Sequence, residues 1–146
     1  MTNFEFFPLH PALVHFPIAL LFAAGVFYVW SMWREGNDLY QAGWYLHLAG
    51  IVGTVLAIFS GLSSQDGLDL TEEVEGYLQT HTLLGYAVGW AFGLLAVWQY
   101  LRQGKGNRNE KIAFLLCYGL GLGLLLYSSW LGGHMVYEHG VGVNLK

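Results

Sequence analysis

Four long hydrophobic runs, separated by short polar segments, divide the 146-residue chain. A helix crosses the hydrocarbon core of a bilayer with about 20 apolar residues, and each run reaches that length. The predicted spans are residues 11–33, 41–62, 77–101 and 112–131. Because short connections favour antiparallel neighbours, the pattern predicts an all-α fold in one domain, an integral membrane four-helix bundle of up-down topology.

Proline and glycine mark where the outer spans are expected to begin, bend and end. Pro11 suits a first helical turn, where its missing N–H is not needed, and this makes His10 a predicted cap. Pro17 removes one backbone hydrogen bond, so the first span is expected to bend half a turn past His15. At the far end of the chain, Gly132–Gly133 is expected to stop the fourth span.

Composition agrees with a membrane protein. The chain is 55% hydrophobic and 11% charged, which is wrong for a soluble domain of this length. Its one cysteine, Cys117, excludes an internal disulfide and a thiolate-based zinc or iron–sulfur centre. The net charge is −4 and there is no basic patch, so nucleic acid is not an expected partner.

The distribution of charge predicts the orientation of the spans. The first and third loops carry nearly all of the basic residues: Arg34, Arg102, Lys105, Arg108 and Lys111. The second loop and the termini carry Glu5, Asp66, Asp69, Glu72, Glu73, Glu75 and Glu138, opposed by Lys146. Short cytoplasmic loops collect Lys and Arg, so both termini are predicted to lie outside. The expected location is the inner membrane, with multiple spans and periplasmic termini in a Gram-negative bacterium.

Five of the six histidines are predicted to share the outer face of the bundle: His10, His15, His81, His134 and His139. An imidazole at the edge of hydrocarbon is costly, so it is expected to face protein, water or a ligand and to mark a functional site. His47 lies in the inner half. We expect it to be a packed histidine, hydrogen-bonded to Thr54 or to a neighbouring helix.

Glycine recurs every fourth residue below His81, at Gly85, Gly89 and Gly93. Residues four apart share one face of a helix, so these glycines form a ridge without side chains. Such a ridge lets helices pack closely in lipid. A flat macrocycle between helices needs the same space, and the histidine at the head of the ridge favours a bound group.

Several motifs together resemble the bacterial membrane family catalogued as domain of unknown function 2231. They are His10-Pro11, Val14-His15-Phe16-Pro17-Ile18, Gly61, His81, Trp130-Leu131-Gly132-Gly133 and the segment 136–143. Some members are joined to Rieske-type or cytochrome c-type domains, so the resemblance implies redox work at the outer face. This chain departs from the family pattern at His134, where glutamate is usual.

The first of three functional hypotheses is a b-type cytochrome. Haem iron accepts axial histidines, and bundles build such sites from facing helices. His15 and His81 are the preferred axial pair because their depths should match, with His10 and either His134 or His139 as a shallower pair. Gly85 and Gly89 would make room for the ring. Electrons would pass from quinol to an external acceptor of the Rieske or cytochrome c type.

The second hypothesis is a non-haem transition metal site, holding zinc, copper or iron with three or four imidazoles. Its predicted ligands are His10, His15, His81 and His134.

The third hypothesis is a non-catalytic anchor or accessory subunit that contacts lipid and other membrane subunits. No serine nucleophile, paired intramembrane carboxylates or phosphate loop is found in the sequence, so hydrolase, proton-pump and nucleotide-driven roles lack support.

Overall fold

A computed structural model describes residues 9–34, 37–65, 68 and 70–142. The predicted charges of Glu5, Asp66, Asp69 and Lys146 lie outside these residues. The helices are α1 Leu9–Leu13, α2 His15–Trp30, α3 Asp38–Ser63, α4 Glu72–Arg102 and α5 Arg108–His139. Within the described residues, four segments are long and apolar enough to cross a membrane: Leu9–Trp30, Asp38–Ser63, Glu72–Arg102 and Arg108–His139. The predicted all-helical, four-span architecture is confirmed.

The first span is divided into α1 and α2 by a turn at Val14. Pro17 has no N–H to donate to the carbonyl of Leu13, so one hydrogen bond of the helix is lost beside this turn. The Pro17 ring fits against α3 where a β-carbon on Gly53 would lie 3.1 Å from it. Val14 keeps a helical φ of −63° and ψ of −23°, and the interruption lies three residues before the proline that was predicted to bend the span.

The fourth span continues through Gly132–Gly133, so the prediction of a stop there was wrong. α5 ends at His139, and Gly140 caps it with a left-handed φ of 65°. Val74 in the first turn of α4 and Met135 near the end of α5 are both buried. The Tyr77 ring of α4 also lies 5.4 Å from His134 and 5.5 Å from His139 of α5. These contacts stabilise the extra turns of α5 and override the local preference of glycine for a helix end.

The helices pack as two antiparallel pairs, α1–α2 with α3 and α4 with α5, joined through α3–α4 and α2–α5 contacts. The largest fully buried side chains are Tyr118, Phe92, Leu21, His47 and Val88. The starts of α1 and α4 and the ends of α3 and α5 meet at one end, named here the histidine end. The opposite end, named the basic end, carries the charges of Arg34, Arg102, Lys105, Arg108 and Lys111.

The outer surface of the bundle is apolar. Trp90 is 72% exposed and Leu120 is 73% exposed, and both lie in the middle of spans. Exposure of this much apolar surface is unfavourable in water, whereas it is favourable in contact with lipid. The protein is therefore a membrane protein whose helices contact the bilayer.

Candidate functional site

His10, in α1, lies against the last turns of α3. Its Nδ1 lies 2.9 Å from the carbonyl oxygen of Ala57 and 3.1 Å from the hydroxyl of Ser60. A β-carbon on Gly61 would lie 2.9 Å from Cε1 of the imidazole, so the glycine lets the ring approach the helix backbone. The end of α3 therefore fixes the plane and position of the His10 ring.

His81, in the third turn of α4, is held in the same way by α5. Its Nδ1 lies 3.0 Å from the carbonyl oxygen of Ser128. A β-carbon on Gly132 would lie 3.0 Å from its Cε1. Both imidazoles thus rest on a glycine of the following span and reach the carbonyl one turn earlier.

These hydrogen bonds determine which ring nitrogen of each histidine is free. A carbonyl oxygen can only accept, so Nδ1 must carry the hydrogen in both His10 and His81. In the neutral imidazole, Nε2 then carries a lone pair. Among the described residues, neither Nε2 has a hydrogen-bond partner. A ring fixed through Nδ1–H to a carbonyl, with Nε2 unused, is the usual arrangement of a metal-ligating histidine.

The two imidazoles lie next to each other in the bundle. Their ring centroids are 6.1 Å apart and the ring planes are nearly perpendicular, at 87°. Two imidazoles on opposite sides of one iron, with metal–nitrogen bonds of about 2 Å, would have centroids about 6 Å apart. The centroid separation of His10 and His81 is therefore close to that of two imidazoles on one metal ion.

His15 is not part of this pair. Its side chain is exposed, and its Nδ1–H donates to the carbonyl of Pro11 in its own chain segment at 2.7 Å. Five residues turn a helix by about 140° beyond one full turn, so His15 points away when His10 faces α3. The preferred sequence-based pair of His15 and His81 is therefore replaced by His10 and His81.

His134 and His139 form a separate group farther along α5. Their ring centroids are 5.3 Å apart, and the Tyr77 ring lies 5.4 Å from His134 and 5.5 Å from His139. Trp130 stacks on His134 at 5.4 Å. These histidines pack against aromatic rings on the extra turns of α4 and α5, away from the contacts of the His10–His81 pair.

The described residues do not bring three or four imidazoles together. Within residues 9–34, 37–65, 68 and 70–142, no three His, Cys, Asp or Glu side chains lie together so that they could hold a metal ion. The proposed ligands His10, His15, His81 and His134 are all among these residues. The structure therefore brings two of them together and leaves the other two apart.

The glycine ridge of α4 faces α3. A β-carbon on Gly89 would lie 3.4 Å from Ile58, and one on Gly85 would lie 3.9 Å from the same side chain. A β-carbon on Gly93 would have no neighbour within 4 Å. The space beside Gly85 and Gly89 is thus used for helix packing with Ile58.

His47 is completely buried and uses both ring nitrogens. The Tyr28 hydroxyl lies 3.3 Å from Nδ1, and Nε2–H donates to the carbonyl of Phe92 at 3.1 Å. Thr54 instead donates to the carbonyl of Gly50. The prediction of a packed histidine bonded to neighbouring helices is confirmed, and no nitrogen is left for a ligand.

The residues that hold the pair were not predicted to do so. Gly61 entered the resemblance and Gly132 was read as a helix end, and neither Ala57 nor Ser128 was predicted to contact a histidine. A signal was available: Gly61 follows His10 by 51 residues, and Gly132 follows His81 by the same number.

The bundle and its histidine pair define a four-span membrane protein with a two-imidazole site at one end. The chain belongs to the family described as "predicted membrane protein (DUF2231)", which matches residues 6–145 and confirms the resemblance. No curated protein and no solved structure matches the chain.

Proposed function

We propose that this protein is a membrane electron carrier that binds one b-type haem between His10 and His81. The observation that supports the proposal is a pair of neighbouring imidazoles whose ring centroids are 6.1 Å apart, with the Nδ1–H of each bonded to a carbonyl. The two rings belong to different spans, as in other bundles that hold a cofactor between facing helices.

The protein supplies position and electronic tuning at this site. The carbonyls of Ala57 and Ser128 hold the Nδ1–H groups, which keeps Nε2 of each ring available and raises its basicity as a ligand. Haem bound there supplies one-electron chemistry at a potential set by its axial ligands and their surroundings. The apolar bundle below the pair lowers the local dielectric and limits water.

The proposal includes a location and partners. Arg34, Arg102 and Lys111 lie at the basic end, whereas Glu73 and Glu138 lie at or beyond the histidine end. Because cytoplasmic loops collect basic residues, the histidine end faces outward, which is the periplasm of a Gram-negative inner membrane. Quinol in the bilayer is the proposed donor class, and a periplasmic Rieske-type or cytochrome c-type protein is the proposed acceptor.

An absorption spectrum of the detergent-purified protein from haem-replete cells, before and after dithionite, tests the proposal. A sharp reduced band is expected in the wild-type protein. His10→Ala and His81→Ala should each abolish the band, because each removes one axial nitrogen. Since the ring planes are nearly perpendicular, the oxidised form should also give a strongly anisotropic low-spin electron paramagnetic resonance signal.

His15→Ala is the matched control, since it removes an exposed imidazole of the same span. Its spectrum should equal that of the wild type. A band that survives both His10→Ala and His81→Ala would overturn the assignment of ligands. Absence of haem from the wild-type protein would overturn the function. Elemental analysis would then separate a metal protein from an anchor or accessory subunit.

A further inference from the structure

The two histidine sites repeat each other along the sequence. His10 bonds to a carbonyl 47 residues later, at Ala57, and His81 bonds to a carbonyl 47 residues later, at Ser128. His81 itself follows His10 by 71 residues, and Gly132 follows Gly61 by 71. The whole arrangement of imidazole, glycine and carbonyl is therefore present twice at one offset.

The same offset relates the buried positions of the bundle. The buried residues of α2 are Pro17, Leu21, Ala24, Gly25 and Tyr28. Each has a buried counterpart 71 residues later in α4: Val88, Phe92, Leu95, Ala96 and Gln99. Five of the six buried residues of α3, Gly43, His47, Gly50, Thr54 and Ala57, correspond in the same way to the buried Phe114, Tyr118, Gly121, Leu125 and Ser128 of α5, and the sixth, Gly53, corresponds to the exposed Leu124.

Contacts between the halves are reciprocal. His47 donates from Nε2–H to the carbonyl of Phe92 at 3.1 Å, and its counterpart Tyr118 donates to the carbonyl of Leu21 at 3.0 Å. Phe92 is itself the counterpart of Leu21. When residue i of one unit contacts j of the other and j contacts i, the units are related by a twofold axis. His10 and His81 are equivalent positions and their ring centroids are 6.1 Å apart, so the pair lies at that axis.

We propose that the chain is two copies of one two-helix unit in tandem. Each copy holds its histidine in a cradle, defined as a glycine under the ring and the carbonyl that accepts from Nδ1–H: Gly61 and Ala57 for His10, and Gly132 and Ser128 for His81. Both cradles present their imidazoles to one ligand on the pseudo-twofold axis between the copies. Gly61 and Gly132 are then equivalent positioning residues. The identity of the ligand as haem rests on the proposed function, whereas the paired cradles do not.

Glycine is needed in both cradles for a steric reason. A β-carbon would lie 2.9 Å from His10 at position 61 and 3.0 Å from His81 at position 132. Real β-carbons hardly ever approach another heavy atom below 3.0 Å, so the His10 ring would have to move, and the His81 ring would have to give by a few tenths of an ångström. Movement of either ring lengthens its hydrogen bond to the carbonyl one turn earlier and misaligns its Nε2.

Gly61→Ala and Gly132→Ala test the equivalence of the cradles. Loss of a group that orients a ligand typically weakens binding about ten- to hundredfold. Each variant should therefore weaken haem binding by a similar factor and shift the midpoint potential in the same direction, with one haem per wild-type chain. Gly93→Ala is the control, since a β-carbon there meets nothing within 4 Å. An effect of one cradle variant without the other, or an equal effect of Gly93→Ala, would overturn the proposal.

Cross-linking provides a readout that does not need haem. In a Cys117→Ser background, the full chain with His10→Cys and His81→Cys should be joined efficiently by a short thiol cross-linker. The pair His15→Cys and His81→Cys should not be joined, because residue 15 faces away from the axis. If the wild-type protein holds no haem but the first pair cross-links selectively, the proposed function fails and the paired cradles stand. Equal cross-linking of both pairs, or of neither, would overturn the cradle arrangement.

Discussion

At the scale of the residue, the histidines of this bundle differ in how many nitrogens the protein uses. His47 has both nitrogens engaged, by Tyr28 and by the carbonyl of Phe92. His10 and His81 have Nδ1 engaged, and among the described residues Nε2 has no partner. Burial alone would have favoured His47 as the site, whereas its hydrogen bonds leave no nitrogen for a ligand. His15 also donates from Nδ1–H to a carbonyl, so the 6.1 Å separation of the His10 and His81 rings is what distinguishes these two.

Replacement of Tyr118 tests whether the hydrogen bonds that His47 and Tyr118 make between the two halves stabilise the bundle. Tyr118→Phe removes one interhelical hydrogen bond to the carbonyl of Leu21 and leaves the ring in place. Such bonds in membrane bundles contribute about 0.6 kcal/mol on average and about 1.7 kcal/mol at most. Unfolding measured in mixed micelles should show a loss in this range, with an unchanged cofactor spectrum per molecule.

Tyr45→Phe is the control, since Tyr45 is exposed on α3. It should leave the free energy of unfolding unchanged. Loss of the cofactor spectrum in Tyr118→Phe, at normal stability, would assign this tyrosine to the ligand site instead.

His10 and His81 were both candidates from the sequence, and the metal hypothesis placed them in one site, but the axial pair predicted for haem was His15 and His81. Matching depth along the spans suggested His15, whereas the direction of the ring around the helix decides the contact. The five-residue separation of His10 and His15 shows that they cannot face the same neighbour. Which of the two faces α3 depends on the packing of Gly61 and Pro17, and periodicity alone does not give that.

At the scale of the element, the glycine ridge of α4 serves helix packing. Ile58 of α3 lies opposite Gly89, where a β-carbon would already be in van der Waals contact. Gly89→Leu should therefore overpack the α3–α4 interface and cost about 1 to 3 kcal/mol. The measurement is thermal unfolding in detergent, followed by the cofactor spectrum per folded molecule, which should be unchanged.

Gly93→Leu is a matched substitution one turn along the same ridge, where the structure leaves open space. It should be tolerated. A Gly89→Leu protein that is as stable as the wild type but has lost its spectrum would return the ridge to the role of a macrocycle cavity.

The helices themselves were largely predictable, and their ends were less so. Hydrophobic length determines the four spans, because a bilayer needs about 20 apolar residues in each. The extra turns of α5 beyond Gly132–Gly133 depend on contacts with the first turns of α4. Those contacts are tertiary, so the local sequence favoured a stop where the helix continues.

At the scale of the whole molecule, the orientation in the membrane is open to a direct test. The basic end carries Arg102, Lys105, Arg108 and Lys111 in and around one short loop, so this loop should be cytoplasmic. A reporter that is active only in the cytoplasm should be silent when fused after Lys146. The same reporter inserted after Gly104 should be active. The reverse pattern would place the histidine pair on the inner face and exclude an external redox partner.

The repeat was not visible in the sequence because little identity survives. Between residues 9–63 and 80–134, the identical pairs are His10/His81, Leu13/Leu84, Val26/Val97, Ala42/Ala113, Gly50/Gly121 and Gly61/Gly132. Most positions that are buried in one copy are also buried in the other but hold a different residue, as at His47 and Tyr118. A packed core tolerates such exchanges when its total volume is kept. The repeat is therefore clear in the contacts, whereas few residue identities show it.

Insertion into the membrane also follows from the two-unit design, because each unit brings its own orientation signal. Arg34 lies in the loop of the first helix pair, and Lys105, 71 residues later, lies in the loop of the second. A unit with two spans returns the chain to the side from which it entered, so a tandem copy is parallel to the first without any change of loop charge. Each copy can therefore be oriented by the insertion machinery on its own, and both imidazoles arrive on the same side of the bilayer.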